Sequence, residues 1–363
     1  MTHIRFRIAA CVAGLAAVAP ARLPAQLRLP EGVTGRLSGR LHVQFNTTSV
    51  DSAAGEALPE SEILIRRARL TFDVTLNDLI SARIEPDYGT GSSFSLRDAY
   101  VRLTFDPAVR ATLGQFKRPF DLFGLTSSSE LLVVERTGGI RGVDGCGALG
   151  AVCSLSTLTE DLQYTDRDLG LLVDGTLPGD RLRYAVAVTN GAGLNTRETT
   201  GNKQFSARLS VTPIRDVVVS VNGARKDYEH PVSGADRFTT GWGADVEIGN
   251  YTSGPHIQAG IVGGGNWTIG TTDTEVGSFL AGQVIATYQA VLGHRYLRGI
   301  EPVARVSFGD PDSDVADDGG WLVTPGLIVH FGGRNAWHNN LDLWMPQVGS
   351  NEMSFKSQMF FFF

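Results

Sequence analysis

After its N-terminal leader the chain has no apolar run of about eighteen residues, which excludes membrane-spanning helices. It has only 3 Cys and 4 Met in 363 residues. No stretch has the composition of a linker, so although the length admits two domains, one large domain fits as well. Basic residues are the minority, 32 against 38 acidic, and a net negative chain argues against nucleic acid as a partner. The 7 His are scattered and no Ser or Cys sits in a nucleophile elbow, so no enzyme is expected, and neither a cofactor nor a metal is called for. The 42% hydrophobic content is that of a soluble protein, yet a barrel hides its apolar residues at every second position and has the same content. The 43 Gly suit strands and turns better than helices.

What is present first is a leader. His3, Arg5 and Arg7 begin it, Ile8 to Val18 is apolar, and Ala19-Pro20-Ala21 or Leu23-Pro24-Ala25 offers a small-residue cleavage site, as in a secretory signal peptide. The expected domains are therefore a signal over 1–25, cut after Ala21 or Ala25, and a single domain over 26–363. Removal through Ala25 takes Arg5, Arg7 and Arg22 and no acid, so the formal charge moves from -6 to about -9. Cys11 leaves with the signal. Cys146 and Cys153 remain as an even pair in an exported chain, with too few neighbouring ligands for zinc, and a disulfide is expected.

The rest alternates. From Val33 to Phe45 the odd positions read Val33, Gly35, Leu37, Gly39, Leu41, Val43 and Phe45, and the even ones Thr34, Arg36, Ser38, Arg40, His42 and Gln44. Period two puts these sets on opposite faces. The apolar face would meet a second sheet in a sandwich and lipid in a barrel, and the rhythm of the connections separates the two. Short turn signals at Asn77-Asp78, Asp106-Pro107, Pro178-Gly179-Asp180, Pro213-Ile214-Arg215, Asn250 to Gly254, Gly293-His294 and Gly333-Arg334-Asn335 alternate with longer polar stretches, the longest over 118–166. Short connections on one side and long ones on the other imply an all-β, antiparallel transmembrane barrel of about 16 strands. The Gly run near Val262 to Trp267 breaks the alternation and leaves a strand edge unplaced. Met353, Phe355, Met359, Phe361 and Phe363 alternate with Ser354, Lys356 and Gln358 as a closing strand, until Phe360 and Phe362 make the end apolar on both faces.

Arg66-Arg67-Ala68-Arg69-Leu70 with Phe72, Asp98-Ala99-Tyr100, Gly114-Gln115-Phe116-Lys117-Arg118-Pro119-Phe120, Leu125-Thr126-Ser127-Ser128, Glu135-Arg136 and Arg167-Asp168-Leu169-Gly170 follow in order over about a third of the chain. In these residues the sequence resembles the phosphate-selective porins O and P. The resemblance implies a trimeric outer-membrane porin whose third external loop, about 119–165, folds inward and narrows the pore. It implies that Phe363 belongs to the signal read by the barrel assembly machinery. It also implies an anion preference resting on arginines along the lumen and cations at the constriction. Alternation turns Arg36, Arg40, Arg67, Arg69, Arg83 and Arg102 to the polar face, where Asp73, Glu85 and Asp98 also stand, so a binding ladder and a wall of mutually paired charges both fit. Lys117, Arg118, Arg136 and Arg141 lie at the mouth of the long segment or inside it, where cations would attract an anion in a narrow passage. Strict alternation from Leu113 would turn Lys117 to lipid, unless a bulge intervenes or the strand ends first.

The expected function is passive diffusion of small hydrophilic solutes, biased to anions such as phosphate, through a homotrimer integral to the bacterial outer membrane and its lipid. The alternative is a non-conducting barrel that binds a partner through its external loops. Asp310, Asp312 and Asp314 have the spacing of a calcium loop, but Val315 replaces the sharp-turn glycine and Trp321 the bidentate acid, so a solvated acidic loop is expected. His230 with Asp227 and Asp236 would serve a rim hydrolase, though external loops are commonly rich in such residues.

Overall fold

The structure is a computed structural model that describes residues 32–49, 60–89, 94–140, 146, 149, 151–198 and 201–363. The expected leader and Arg141 lie outside the described residues. Sixteen strands follow one another: β1 (Thr34–Ser49), β2 (Glu60–Thr75), β3 (Ile80–Tyr88), β4 (Ser95–Asp106), β5 (Val109–Lys117), β6 (Arg167–Thr176), β7 (Leu182–Thr189) and β8 (Gln204–Ile214). The second half comprises β9 (Val217–Glu229), β10 (Asp236–Gly249), β11 (Gly254–Gly270), β12 (Val276–Val291), β13 (Gly299–Asp310), β14 (Gly320–Gly332), β15 (Asn335–Pro346) and β16 (Glu352–Phe362). Each pairs antiparallel with the next, and β1 pairs with β16 to close the barrel, Leu41 opposite Phe361 and Phe45 opposite Ser357. Closure leaves no edge, which a sheet in hydrocarbon requires because lipid supplies no hydrogen bonds.

Period two decides what each face carries. On β13, Ile300, Pro302, Ala304 and Val306 face outward while Glu301, Arg305 and Ser307 are buried inside. The Gly run that hid a strand edge lies within β11, which continues through Trp267 with a register shift between Asn266 and Gly270. The glycines are there because strands approach closely: a Cβ on Gly264 would come within 2.5 Å of the Thr240 carbonyl oxygen. At the chain end, Phe363 exchanges backbone hydrogen bonds with Gly39 (2.9 and 3.1 Å), and its ring covers Gly39 so closely that a Cβ there would lie 2.3 Å from it. Phe360 turns inward, its ring between the imidazoles of His42 (4.2 Å) and His338 (4.0 Å), which is why the last residues are apolar on both faces.

Residues 118–166, between β5 and β6, contain two short helices. α1 (Leu122–Leu125) is capped by the Asp121 carboxylate, which accepts from Gly124 N, and α2 (Leu155–Asp161) by the Ser154 hydroxyl, which accepts from Thr157 N.

Candidate functional site

The segment between β5 and β6 lies against one half of the barrel wall. Phe120, Phe123, Leu132, Leu155, Leu158 and Leu162 form one buried cluster with Phe279, Val303, Leu322 and Trp344, which point inward from β12, β13, β14 and β15. Burying that apolar surface holds the segment in place, and the wall supplies partners for its backbone, as any buried polar group needs. The Arg305 guanidinium donates to the carbonyl oxygens of Glu135 (2.9 Å) and Arg136 (2.8 Å) and to Asp342 (2.8 Å). Asn340 accepts from Val134 N (2.6 Å), Ser307 accepts from Leu155 N (3.0 Å), and the Trp267 indole donates to Leu162 O (2.8 Å).

Packing on that side leaves the passage on the other. A cavity of about 610 Å³ lies between the segment and the wall of β1 to β6. Among the described residues, the wall turns eight cations to it: Arg36 and Arg40 on β1, Arg67 and Arg69 on β2, Arg83 on β3, Arg97 on β4, Lys117 on β5 and Arg167 on β6. Arg136 of the segment and Arg334 of the β14–β15 turn bring the number to ten, against three lining carboxylates, Asp73, Glu85 and Asp98. Ser127, Ser128 and Ser129 form the facing surface.

The carboxylates are shared. Glu85 takes Arg40 at 2.6 Å, Arg69 at 3.4 Å and the Thr71 hydroxyl at 2.8 Å. Asp73 holds Arg83 through two bonds (2.7 and 3.1 Å), and Asp98 holds Arg167 at 2.6 Å. The wall is a paired network that carries a surplus of cations. Arg36 has no ion pair among the described residues, and Arg67 reaches Glu135 only at 3.9 Å, its Nη1 buried without a hydrogen-bond partner. Burial works against the charged form of Glu135, but Arg66 and Arg67 outweigh it and hold the carboxyl down to about 2.

The expected constriction cations have separate fates. Lys117 does not face lipid: Gly114 adopts φ +132°, Gln115 and Phe116 are both buried, and the Lys117 ammonium donates to the carbonyl oxygens of Gly124 (2.7 Å), Leu125 (3.1 Å) and Thr126 (2.9 Å). It therefore ties down the end of α1 as well as charging the cavity. Arg136 lines the cavity while donating to Phe123 O (2.7 Å), Thr126 O (2.8 Å) and Glu160 (3.0 Å). Arg118 does not reach the passage. It is 1% exposed, donates to the Thr165 carbonyl and to Gln204 Oε1 (2.9 Å), and pairs with Asp168 at 3.5 Å, so its charge is spent on fixing where the segment leaves the wall. Arg102 keeps the inward parity but lies off the cavity, bonded to the Thr112 hydroxyl (2.9 Å) beside the Tyr100 ring.

Alternation assigns none of Arg97, Arg167 and Arg334 to the passage; the sequence offers Arg167 only among the residues that carry the resemblance and Arg334 only within a turn signal. Arg97 and Arg167 stand, like Lys117, at odd positions near the external ends of their strands, where the lower alternation no longer holds; Lys117 and Arg167 are register partners. The acidic connection after β13 is not wholly solvated: Asp312 is 1% exposed and accepts from Ser278 N and Asp314 N, both at 3.3 Å. His230 engages backbone groups through both ring nitrogens, Glu275 O on Nε2 and Val232 N and Ser233 N on Nδ1.

A family profile described as phosphate-selective porin O and P matches residues 36–251, more than half of the sequence. The chain belongs to that family. Among solved structures, the anion-selective porin from Comamonas acidovorans superposes with a TM-score of 0.64 at 13% identity, over 91% of this chain and 100% of that one. The outer membrane channel DcaP of Acinetobacter baumannii gives 0.61 at 14% identity, over 92% and 99%. OmpF of Salmonella typhi, in its complex with daunomycin, gives 0.61 at 13%, over 92% and 98%. At such identities the likeness is one of fold. No curated protein sequence matches the chain. The porin is an integral outer-membrane protein and a channel.

Cys146 and Cys153 are joined in a disulfide, both buried within the segment that narrows this channel. Restraining so short a loop stabilises the segment rather than the barrel. Cys146→Ser should therefore leave the folded barrel's heat-modifiable mobility unchanged and raise both conductance and current noise. Single-channel traces indistinguishable from those of the parent protein would refute the bracing role.

Proposed function

We propose that this porin passes small hydrophilic anions, phosphate among them, by passive diffusion, and that it does so as a homotrimer. The observation that carries the reading is the composition of the passage, among the described residues ten cations and three carboxylates around about 610 Å³. In a narrow lumen with low-dielectric walls, surplus guanidinium charge raises the local concentration of anions and lowers that of cations. Each anion is met by several guanidiniums in succession, and none encloses it, so entry is favoured without trapping. The anion-selective porin of Comamonas acidovorans and the trimer form of OmpT from Vibrio cholerae share the fold and support the two parts of the reading by analogy. On this reading residues 1–25 are removed on export, 26–363 form the barrel, and Phe363 is the residue the assembly machinery reads.

The test is single-channel current in a planar bilayer, with the reversal potential under a potassium chloride gradient followed by titration of phosphate. Stable openings that favour chloride, blocked by low phosphate, are the expected result. Openings indifferent to phosphate would restrict the reading to anions in general. A cation-selective reversal potential would defeat it, and a folded barrel that never opens would favour a binding role for the external loops.

A further inference from the structure

A guanidinium stands on the outward wall of the barrel, on the side away from the seam of β1 and β16. The outward set of β9 reads Val219, Val221, Gly223 and Arg225, and Arg225 is exposed while Lys226 beside it turns inward and is buried. From Val217, where β9 leaves its short turn, to Arg225 is about 26 Å along the strand and roughly 20 Å in height at the tilt of a porin strand. Arg225 therefore lies near the external margin of an apolar band about 25 Å tall. Phe205 on β8 and Thr240 on β10 are its register partners, and the centre of the Phe238 ring lies 3.5 Å from its Cζ. The ring face attracts the charge, but the guanidinium N–H groups still need acceptors. Among the described residues Arg225 has neither an ion pair nor a side-chain hydrogen bond.

Below Arg225 the wall is hollow. Its outward positions carry only Ala244 on β10, Ala259 and Gly263 on β11 and Gly282 on β12, where other sectors present Val, Leu or Phe. Two depressions result, one of about 380 Å³ that starts at Thr240 and one of about 630 Å³ toward the periplasmic end, and Leu280 lines both. A cation at the membrane margin thus stands over an apolar trough within the hydrocarbon band. From this we infer that the trough binds a phosphorylated lipid of the external leaflet, its phosphate on Arg225 and an acyl chain along Leu280 and Gly282. The charges are complementary, since a phosphate accepts from a guanidinium through paired N–H bonds. The depths also agree: the unmet donor lies where a headgroup lies, and the hollow where its chains lie. The inference needs only the barrel's place in the outer membrane, not its anion selectivity.

The test uses the full-length folded protein in detergent and counts retained lipid by native mass spectrometry, with bisphosphorylated lipid A and the same lipid stripped of its phosphates as probes. The parent and Leu171→Ala, outward on β6, should hold the phosphorylated lipid roughly tenfold more tightly than the stripped one. Arg225→Gln should lose that preference and bind both at the weaker level. Gly282→Leu fills the trough without strain, since a Cβ there comes no nearer than 3.7 Å to the Gly260 carbonyl oxygen. It should weaken both lipids alike, roughly tenfold, and keep the preference for phosphate. Heat-modifiable mobility confirms that each variant is folded. A parent indifferent to the phosphates, or Arg225→Gln holding the phosphorylated lipid as tightly as the parent, overturns the inference. Channel current on the same samples separates it from the lumen: the reversal potential of Arg225→Gln should equal the parent's, and a shifted one would mean that Arg225 serves the passage instead.

Discussion

Exchanging Arg36 and Arg67 together for Gln is expected to lower the anion-to-cation permeability ratio by roughly thirtyfold. The other wall arginines spend much of their field on Glu85, Asp73 and Asp98, whereas Arg36 has no ion pair among the described residues and Arg67 lies 3.9 Å from its nearest carboxylate. Each of the two contributes about 1 kcal/mol to an anion a few ångströms away in a wet lumen, and their sum converts to the stated factor. The check is the reversal potential under a salt gradient, read at low and at high ionic strength. The difference between variant and parent should be large at about 0.1 M salt and fade toward 1 M, where the screening length falls to about 3 Å. A permeability ratio equal to the parent's at low salt would mean that the paired arginines, not these two, set the field.

Asp342→Asn should destabilise the barrel by about 3–5 kcal/mol. Asp342 is 1% exposed and sits between Arg305, 0% exposed at 2.8 Å, and Lys356, which it also binds. Neutralising it strands two buried cations with no counter-charge, and the loss of a partner costs far more than the pair contributed. A second effect follows. Arg305 would no longer be aimed at the Glu135 and Arg136 carbonyls, so the inward segment loses its central tether and conductance should rise with the loss of stability. Urea unfolding followed by tryptophan fluorescence reads the first effect and single-channel conductance the second. A midpoint equal to the parent's would show that the cluster carries no net weight. Replacing all three together by Asp342→Leu, Arg305→Met and Lys356→Met should restore most of the stability, because apolar isosteres need no counter-charge.

The barrel was legible because period two is read residue by residue and the turns between strands are short. Parity from Val33 to Phe45 and the alternation of short and long connections sufficed for the strand count and for the inward set Arg36, Arg40, Arg67, Arg69 and Arg83. The constriction was less legible, because its geometry depends on where parity stops. Lys117, the last residue of β5, turns to the cavity where parity from Leu113 would point it to lipid, and Arg97 and Arg167 do the same at the external ends of β4 and β6. Arg118 adjoins Lys117 in sequence but is claimed by Asp168 and Gln204, 50 and 86 residues away. No local pattern announces such partners. One readable signal was passed over: Phe279, Val303, Leu322 and Trp344 occupy the inward parity of a lumen wall, where water-filled pores carry polar residues, and only an apolar cover explains them.

The passage runs along the seam where the barrel's two ends are sewn together. Phe362 and Phe363 line it beside Arg36 and Arg40, and among the described residues the β1–β16 pairing joins the strands farthest apart in sequence. Such a pairing is slow to form, because the whole intervening chain must be brought round first. The pore is therefore not something that grows strand by strand. Its wall is complete only when the last strand meets the first, and the half of its bore that carries the arginines has no boundary until then. Permeability and completion are the same step, so an unfinished barrel is an open sheet rather than a wider hole, and a channel that passes current with its normal selectivity has by that fact reported that its seam is shut.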